Sequence, residues 1–352
     1  MDFTFTQDQI AFRDATRRFL MTEAAPEMLR EIWETDAGRS PALRAKLAGQ
    51  GLTALSVPEA NGGLGFGDVD WALMAQELGY YGIPDSLSDT ACVTVGLLAG
   101  LAKDTPGRDG WLERVVDGDI RIALGHPINP LIADAQLADL LLLYHEDEVH
   151  AVPRAAVDVR PSPSIDQSRR LGQVAWQPGL ATRVADAASG KRLWADALDR
   201  GALCAAGQLL GLAQRMLDLS VDYVAQRKQF GRPIGSFQAV KHQLADVATR
   251  IEFAGPVLYR AAEALANRRT DASVHVSHAK FACGETAWLA ARKGIQVHGA
   301  MGYTWEVDLQ MFVKRAWALD AAWGDRGFHK TRISDFVLGD DAPLGPGRSF
   351  LE

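Results

Sequence analysis

The chain has little that would tie it to a metal, a membrane or a nucleic acid. Only three of its 352 residues are cysteine, namely Cys92, Cys204 and Cys283. They stand far apart with no metal-ligand spacing, and their odd number argues against a disulfide framework. Cys204 and Cys283 lie in alanine-rich, helix-like stretches, where a buried inert thiol is expected. Basic residues do not exceed acidic ones: 37 Lys and Arg against 44 Asp and Glu give a formal charge of −7. Such a surface gives no electrostatic support to a nucleic-acid partner and repels an anionic membrane. No apolar run is long enough to span a bilayer. The opening Met1-Asp2-Phe3-Thr4 has no basic segment leading into an apolar one, so no signal peptide and a cytoplasmic location are expected. There is no internal repeat and no low-complexity segment.

What remains is an ordinary globular composition, and a length that calls for two or three domains. The first part, 1–118, reads as helical. Thr6-Gln7-Asp8-Gln9 is a candidate N-cap region, followed by Ile10, Phe12, Ala15, Phe19 and Leu20 at helical spacing. Further helices are expected from about Pro41 to Gln50, from Asp68 to Leu78 and around Leu97–Leu101, with a glycine-rich loop at Asn61–Gly67. The character changes near Asp119. Leu137–Tyr144 fits a buried strand and Val149–Val152 its return, Val157–Val159 and Val174–Trp176 are further strands, and Pro161–Ser164 reads as a turn. The stretch 119–194 therefore reads as a small β domain. From about Ala195 helical spacing returns, with faces marked by Leu203–Leu217 and Phe237–Ile251, a third helix at Ala279–Ile295 and a fourth over Leu309–Trp323. Four such helices suggest that 195–352 is a four-helix bundle. The fold class is mainly α with a small β domain.

Two stretches carry possible chemistry. Gln226–Gln238 places Arg227 and Lys228 between two helices, with Gly231, Pro233 and Gly235 shaping a turn. An arginine there can grip a phosphate with two parallel hydrogen bonds, or simply complement a helix C-terminus. Gln296–Glu306 sets Gly299 and Gly302 after a helix, where backbone amides can approach an anion, or where a glycine merely ends the helix. His298 beside that glycine is either a base or a hydrogen-bonded structural residue.

Taken together, R-K-Q-F-G-R-P-I-G-S-F-Q-A-V-K-H-Q-L-A-D from Arg227 to Asp246 and Q-V-H-G-A-M-G-Y-T-W-E from Gln296 resemble the acyl-CoA dehydrogenase family. G-L-T-A-L-S-V-P-E-A-N-G-G-L-G from Gly51 to Gly65, and Glu77-Leu78-Gly79, resemble its N-terminal signature. The resemblance implies a helical N-terminal domain, a middle β domain and a C-terminal four-helix bundle, in tetramers built from dimers with FAD at the dimer interface. It implies that Arg227, Phe230, Gln296, Val297, His298, Gly299 and Ala300 contact a neighbouring subunit's FAD, with Ala300 standing where a second glycine is usual. The implied reaction is α,β-dehydrogenation of an acyl-CoA thioester: a carboxylate takes the α-proton, the flavin takes the β-hydride, and an electron-transfer flavoprotein receives the electrons.

The sequence departs from that family where the chemistry is done. The usual base is a glutamate before a glycine near the chain's last helices, and Trp323 stands there. An alternative site on an earlier helix corresponds to Arg200. Asp325 and Asp199 are weak candidates, each displaced along the chain from those two sites. The T-E-P-x-x-G-S-D-like segment of the family is missing across Gly125–Ala135, and Trp176 is a poor match to the tryptophan beside the flavin ring. These departures lead to the expectation of a non-catalytic subunit. It would pair with a homologous catalytic subunit in a heterotetramer and hold the far end of that subunit's FAD, as in some actinobacterial relatives that shorten steroid side chains. An active homo-oligomer with an unusual base and a flavin-free scaffold are the alternatives.

Overall fold

A computed structural model describes residues 4–339. Met1–Phe3, on which part of the leader expectation rests, and the end of the expected bundle, 340–352, lie outside the described residues. The chain begins with helices α1 (Gln7–Glu23), α2 (Pro26–Glu34), α3 (Pro41–Gly49), α4 (Asp68–Tyr80), α5 (Val95–Gly100) and α6 (Arg108–Val116). Seven strands follow: β1 (Ile122–Gly125), β2 (Ile132–Ala133), β3 (Leu140–His145), β4 (Glu148–Pro153), β5 (Asp158–Ser162), β6 (Leu171–Ala175) and β7 (Arg183–Ala185). Then come α7 (Ala187–Gln226), the short strands β8 (Lys228–Gln229) and β9 (Arg232–Pro233), α8 (Gln238–Ala266), α9 (Ala272–His298), α10 (Leu309–Asp320) and α11 (Arg326–Val337). The fold is mainly α with a small β region, as the sequence pattern indicates.

Two compact units emerge. The described part of one covers 4–18, 68–81 and 205–339, so it joins α4 and most of α7 to α8–α11. Small residues let α4 and α7 approach closely: a Cβ on Gly79 would collide with the Gln208 carbonyl, and one on Gly211 with the Gln76 carbonyl. α1 opens with a capping box, in which Thr6 N–H donates to Gln9 Oε1 at 3.0 Å and Gln9 N–H donates to Thr6 Oγ1 at 3.2 Å. Arg17 on α1 makes a two-pronged ion pair with the buried Glu77 of α4.

The other unit comprises Phe19–Gly67 and Gly82–Cys204. Its four-stranded sheet has the order β1-β3-β4-β7, with β1 and β3 parallel, and a three-stranded sheet has the order β2-β6-β5. The apolar run predicted as a strand is β3, whose Leu140–Leu143 are all buried. Leu141, Leu143, Val152 and Val157 share one core with Ala123 and Ala135, and Val159, Val174 and Trp176 pack against it.

Three boundary expectations are corrected. The stretch expected as a turn at Pro161–Ser164 begins inside β5, where Pro161 pairs with Gly172 and Ser162 with Leu171. Proline is tolerated because β5 is an edge strand. α7 starts at Ala187 rather than about Ala195, because Asp186 accepts a hydrogen bond from Ser189 N–H at 2.9 Å and so nucleates the first turn. The last long helix ends at Asp320 instead of running to Trp323. Trp323 and Gly324 both have positive φ, +58° and +91°, which an α-helix cannot contain. Helices α2 and α6 were not anticipated: their apolar positions are few, and Pro26 and Gly107 were the available start signals.

Candidate functional site

The segments Gln226–Gln238 and Gln296–Glu306 both lie in the unit containing α7–α11, and the structure brings them together. The Tyr223 ring, in the last turns of α7, stacks on His298 with centroids 4.1 Å apart, and its hydroxyl donates to the His298 carbonyl at 3.4 Å. Arg227 N–H donates to the Tyr223 carbonyl at 2.9 Å, which fixes the arginine one turn beyond that stack. β8 and β9 then form a tight hairpin with Gln229 opposite Arg232. Its tip is Phe230-Gly231, both at positive φ, +52° and +77°, as a type I′ connection requires. Phe230 is consequently held 90% exposed, with its ring edge-on to Phe237. The Arg232 guanidinium covers Phe237 at 4.2 Å.

Arg227, Gln296, Gly299 and Ala300 are exposed, whereas Val297 and His298 are buried. His298 donates through Nδ1 to the Gly294 carbonyl at 2.8 Å, and burial pushes its pKa below the usual histidine range. Its side chain is therefore neutral and packed under the Tyr223 ring. Gly299 adopts φ +62° and ψ −137°, a conformation confined to glycine, and a Cβ there would meet nothing within 4 Å. The exposed chain turn is thus open to a bulky ligand. Between α7 and α8, behind the hairpin, Val221, Val224, Pro233, Gly235, Val240 and Leu244 line a largely apolar groove of about 390 Å³.

The junction between α10 and α11 is locked from beneath. Lys280, 1% exposed, donates from Nζ to the carbonyls of Asp320 at 2.8 Å and Gly324 at 3.3 Å. His329, fully buried, reaches the Trp323 carbonyl through Nε2 at 2.9 Å and Ser277 Oγ through Nδ1 at 3.1 Å. Trp323 is itself buried. Asp325 is the N-cap of α11 and accepts from Phe328 N–H at 2.8 Å. The candidate carboxylate thus has a structural task.

The second candidate, Asp199, is a buried residue of α7 in the other unit. Arg200 beside it extends over Gly96, where a Cβ would come within 2.9 Å of Nη1. In the same unit two polar groups of Gly125–Ala135, His126 and Asp134, turn inward. His126 Nδ1 accepts from Ile128 N–H at 3.1 Å, so Nε2 carries the proton donated to the Trp194 carbonyl at 3.0 Å, and burial pulls the pKa down to about 4. Asp134 is 1% exposed and receives Arg39 at 2.6 Å, Arg121 at 2.8 Å and the Ser86 hydroxyl at 2.6 Å. Asp85 pairs with Arg44 and Arg121. Burial opposes ionisation of Asp85, but the guanidinium groups of Arg44, Arg121 and Arg39 outweigh it and hold the carboxyl below its ordinary range. This network escaped the sequence reading because its members are up to 95 positions apart. Trp176 packs at 5.0 Å against the buried His150, whose ring nitrogens reach Thr182 Oγ1 and Glu148 Oε2.

Among the described residues no group of His, Cys, Asp and Glu is placed to hold a metal, and no helix is long and apolar enough to cross a membrane. Family models for the acyl-CoA dehydrogenase N-terminal domain and C-terminal domain match residues 6–119 and 188–338. Acyl-CoA dehydrogenase IpdE2 of Mycolicibacterium smegmatis is 31% identical over 314 residues, which cover 88% of this chain and 93% of that one. Acyl-CoA dehydrogenase FadE34 of Mycobacterium tuberculosis is 30% identical, over 94% of this chain and 48% of its own. The ChsE4–ChsE5 complex of Mycobacterium tuberculosis contains a chain with the same fold, with a TM-score of 0.87 at 23% identity over 97% of this chain and 100% of that one. Butyryl-CoA dehydrogenase of Megasphaera elsdenii shares the fold with a TM-score of 0.86 at 20% identity, over 96% of this chain and all of that one. Two matched domain models and a full-length relative make this chain a member of the acyl-CoA dehydrogenase family, whose cofactor is FAD.

Proposed function

We propose that this chain is the non-catalytic subunit of a heteromeric acyl-CoA dehydrogenase. It would hold the pyrophosphate and adenosine end of an FAD whose flavin ring is seated in a homologous catalytic partner. The observation that carries this reading is a division of labour within the chain. The hairpin and glycine turn present exposed Arg227, Phe230, Gln296 and Gly299, while the position of the family base is a buried tryptophan in a locked loop.

The residues present fit the distal half of the cofactor. Arg227 supplies a guanidinium able to bind a phosphate through two parallel donors. Gly299 leaves room at the turn for a phosphate to approach backbone amides. The apolar groove lined by Val224, Val240 and Leu244 suits a flat ring system. Val297 and His298 belong to the grip only as the packed base under the exposed turn. FAD supplies the two-electron acceptor for α,β-dehydrogenation of the acyl-CoA, and an electron-transfer flavoprotein is the onward acceptor.

Nothing comparable favours a complete active site in this chain. No indole accepts a proton as a carboxylate does, and Asp325 spends its carboxylate on the α11 cap. In the stretch Gly125–Ala135, His126 and Asp134 are engaged by neighbours from their own unit. One relative of the same fold is described as a two-component complex, and another as a steroid acyl-CoA dehydrogenase with two named components. Those arrangements support a heteromeric partner and a bulky acyl group for this chain too. Co-expression with a homologue that retains the carboxylate tests the reading. A yellow, active complex is expected from the pair and a colourless, inactive protein from this chain alone; an active lone chain overturns it.

A further inference from the structure

The last turns of α7 carry Ser220, Tyr223 and Val224 at steps of three and one, with Arg227 following at the next helical step, so the four share one side of the helix and its exit. Ser220, fully buried, lies against Gly294 of α9, where a Cβ would come within 3.2 Å of its Oγ. Val224 backs the segment after the hairpin, where a Cβ on Gly235 would come within 3.0 Å of the Val224 carbonyl oxygen. The Arg227 carbonyl accepts from Ile234 N–H at 2.8 Å, which closes the hairpin onto the end of the helix.

Tyr223 touches both segments of the grip. Its carbonyl accepts from Arg227 N–H at 2.9 Å. Its ring lies nearly flat on that of His298, with 22° between the planes and 4.1 Å between the centroids. The close approach is possible because Gly294, one turn before His298, presents no side chain to α7. His298 is itself fixed, since its Nδ1 is bonded to the Gly294 carbonyl at 2.8 Å and its side chain is buried. The next residue is Gly299, which opens the exposed turn at φ +62° and ψ −137°. Glycine leaves the backbone free to take other conformations, so the place of the turn depends on what holds the residue before it. The stack does so. At 3.4 Å the contact from the Tyr223 hydroxyl to the His298 carbonyl is long, so the ring carries most of the effect.

We infer that Tyr223 is a positioning residue for the cofactor: its ring, acting through His298, holds the Gln296–Ala300 turn in register with Arg227, so that one anionic ligand meets both. The inference rests on the reading of these two segments as an FAD grip. Tyr223 acts through its neighbour and not by binding the cofactor itself. Its contribution is preorganisation, which spares the ligand the cost of ordering the turn.

The test is the affinity of the purified complex for FAD, read by flavin fluorescence as FAD is titrated into flavin-depleted complex. Tyr223→Leu, which removes the flat face, is expected to raise the Kd by about fivefold to tenfold, whereas Tyr223→Phe, which keeps it, stays within about twofold. Joining Tyr223→Leu to Gly299→Ala is expected to raise the Kd by no more than about twofold beyond the larger single effect, because both act on one turn; independent damage to the fold would multiply the two factors. Tyr223→Met carries the test, with the same outcomes, if the leucine variant does not assemble. Arg227→Ala is measured beside them. If it leaves the Kd unchanged, the grip itself fails and this inference with it. If it raises the Kd while Tyr223→Leu does not, if Tyr223→Phe loses as much as Tyr223→Leu, or if the factors of the double variant multiply, the positioning role alone is overturned.

Discussion

The Nε2 of buried His329 stands 2.9 Å from the carbonyl oxygen of Trp323, the residue proposed to stand where the family's base would be. The histidine thus grips the backbone of the loop between α10 and α11. With Lys280 holding the carbonyls of Asp320 and Gly324, three of the five carbonyls from 320 to 324 are bound from below. The loop between α10 and α11 is thus held in shape through its backbone.

This grip has a pH signature. Burial, then the nearby Lys280 charge, pull the His329 pKa down to about 4, and burial does the same to His126. Both folded values lie below the unfolded one, so the unfolded chain takes up protons first as the pH falls. Stability is therefore expected to decline from about pH 6.5 to pH 4, by about 2 kcal/mol per histidine at pH 5. Urea midpoints at pH 7.5 and pH 5 measure the loss, and His329→Gln should remove about half of it.

Lys280 acts in the opposite range. Burial lowers its pKa to about 8, below its unfolded value, so the unfolded chain retains a proton that the folded chain releases. Stability attributable to this residue is expected to rise as the pH passes from about 8 to 10.5. Comparing denaturation of the native chain and Lys280→Met at pH 7.5 and pH 9.5 isolates that rise.

Asp325 separates a structural role from a catalytic one. Asp325→Ala removes the cap on Phe328 N–H and is expected to cost about 0.5–2 kcal/mol of stability. Turnover by the assembled complex at a temperature where the variant is folded should remain unchanged. A large fall in kcat with stability intact would instead identify a base.

Gly299 tests the open turn. Its φ of +62° and ψ of −137° suit glycine alone, yet a Cβ would touch nothing. Gly299→Ala is therefore expected to act through backbone strain, at about 1–3 kcal/mol, together with a loss of FAD from the complex. Thermal unfolding and flavin absorbance read the two effects separately.

Much of this molecule was legible in its sequence. Leu140–Leu143 announced a buried strand by continuous apolarity, and Thr6 with Gln9 announced a helix start because a capping box is local. A tight turn near Gly231 and Pro233 was marked by those residues, though the two short strands flanking it were not, and the turn after α9 was marked by Gly299. What stayed hidden depends on residues far apart in the chain. The Arg39, Arg121 and Asp134 network, the hold of Lys280 on Gly324, and the Tyr80–Asp218 bond leave no periodic trace. The burial of His298 was also unreadable locally, since its partner Tyr223 lies 75 positions earlier.

Arg227 is an exposed residue of the proposed grip. Arg227→Lys retains the charge but not the planar fork, so it is expected to lower FAD retention almost as much as Arg227→Ala, by about tenfold or more in Kd. Flavin released on gel filtration of the complex at equal protein concentration measures it.

The central claim is that this chain lends a cofactor grip to a catalytic partner, and flavin stoichiometry tests it most directly. FAD should be counted against total chains, with acyl-CoA turnover followed in parallel, for this protein alone and for the complex with a carboxylate-bearing homologue. The account predicts no flavin and no turnover from the chain alone, and about one FAD for every two chains in an active complex. One FAD per chain with turnover from this protein alone would contradict it.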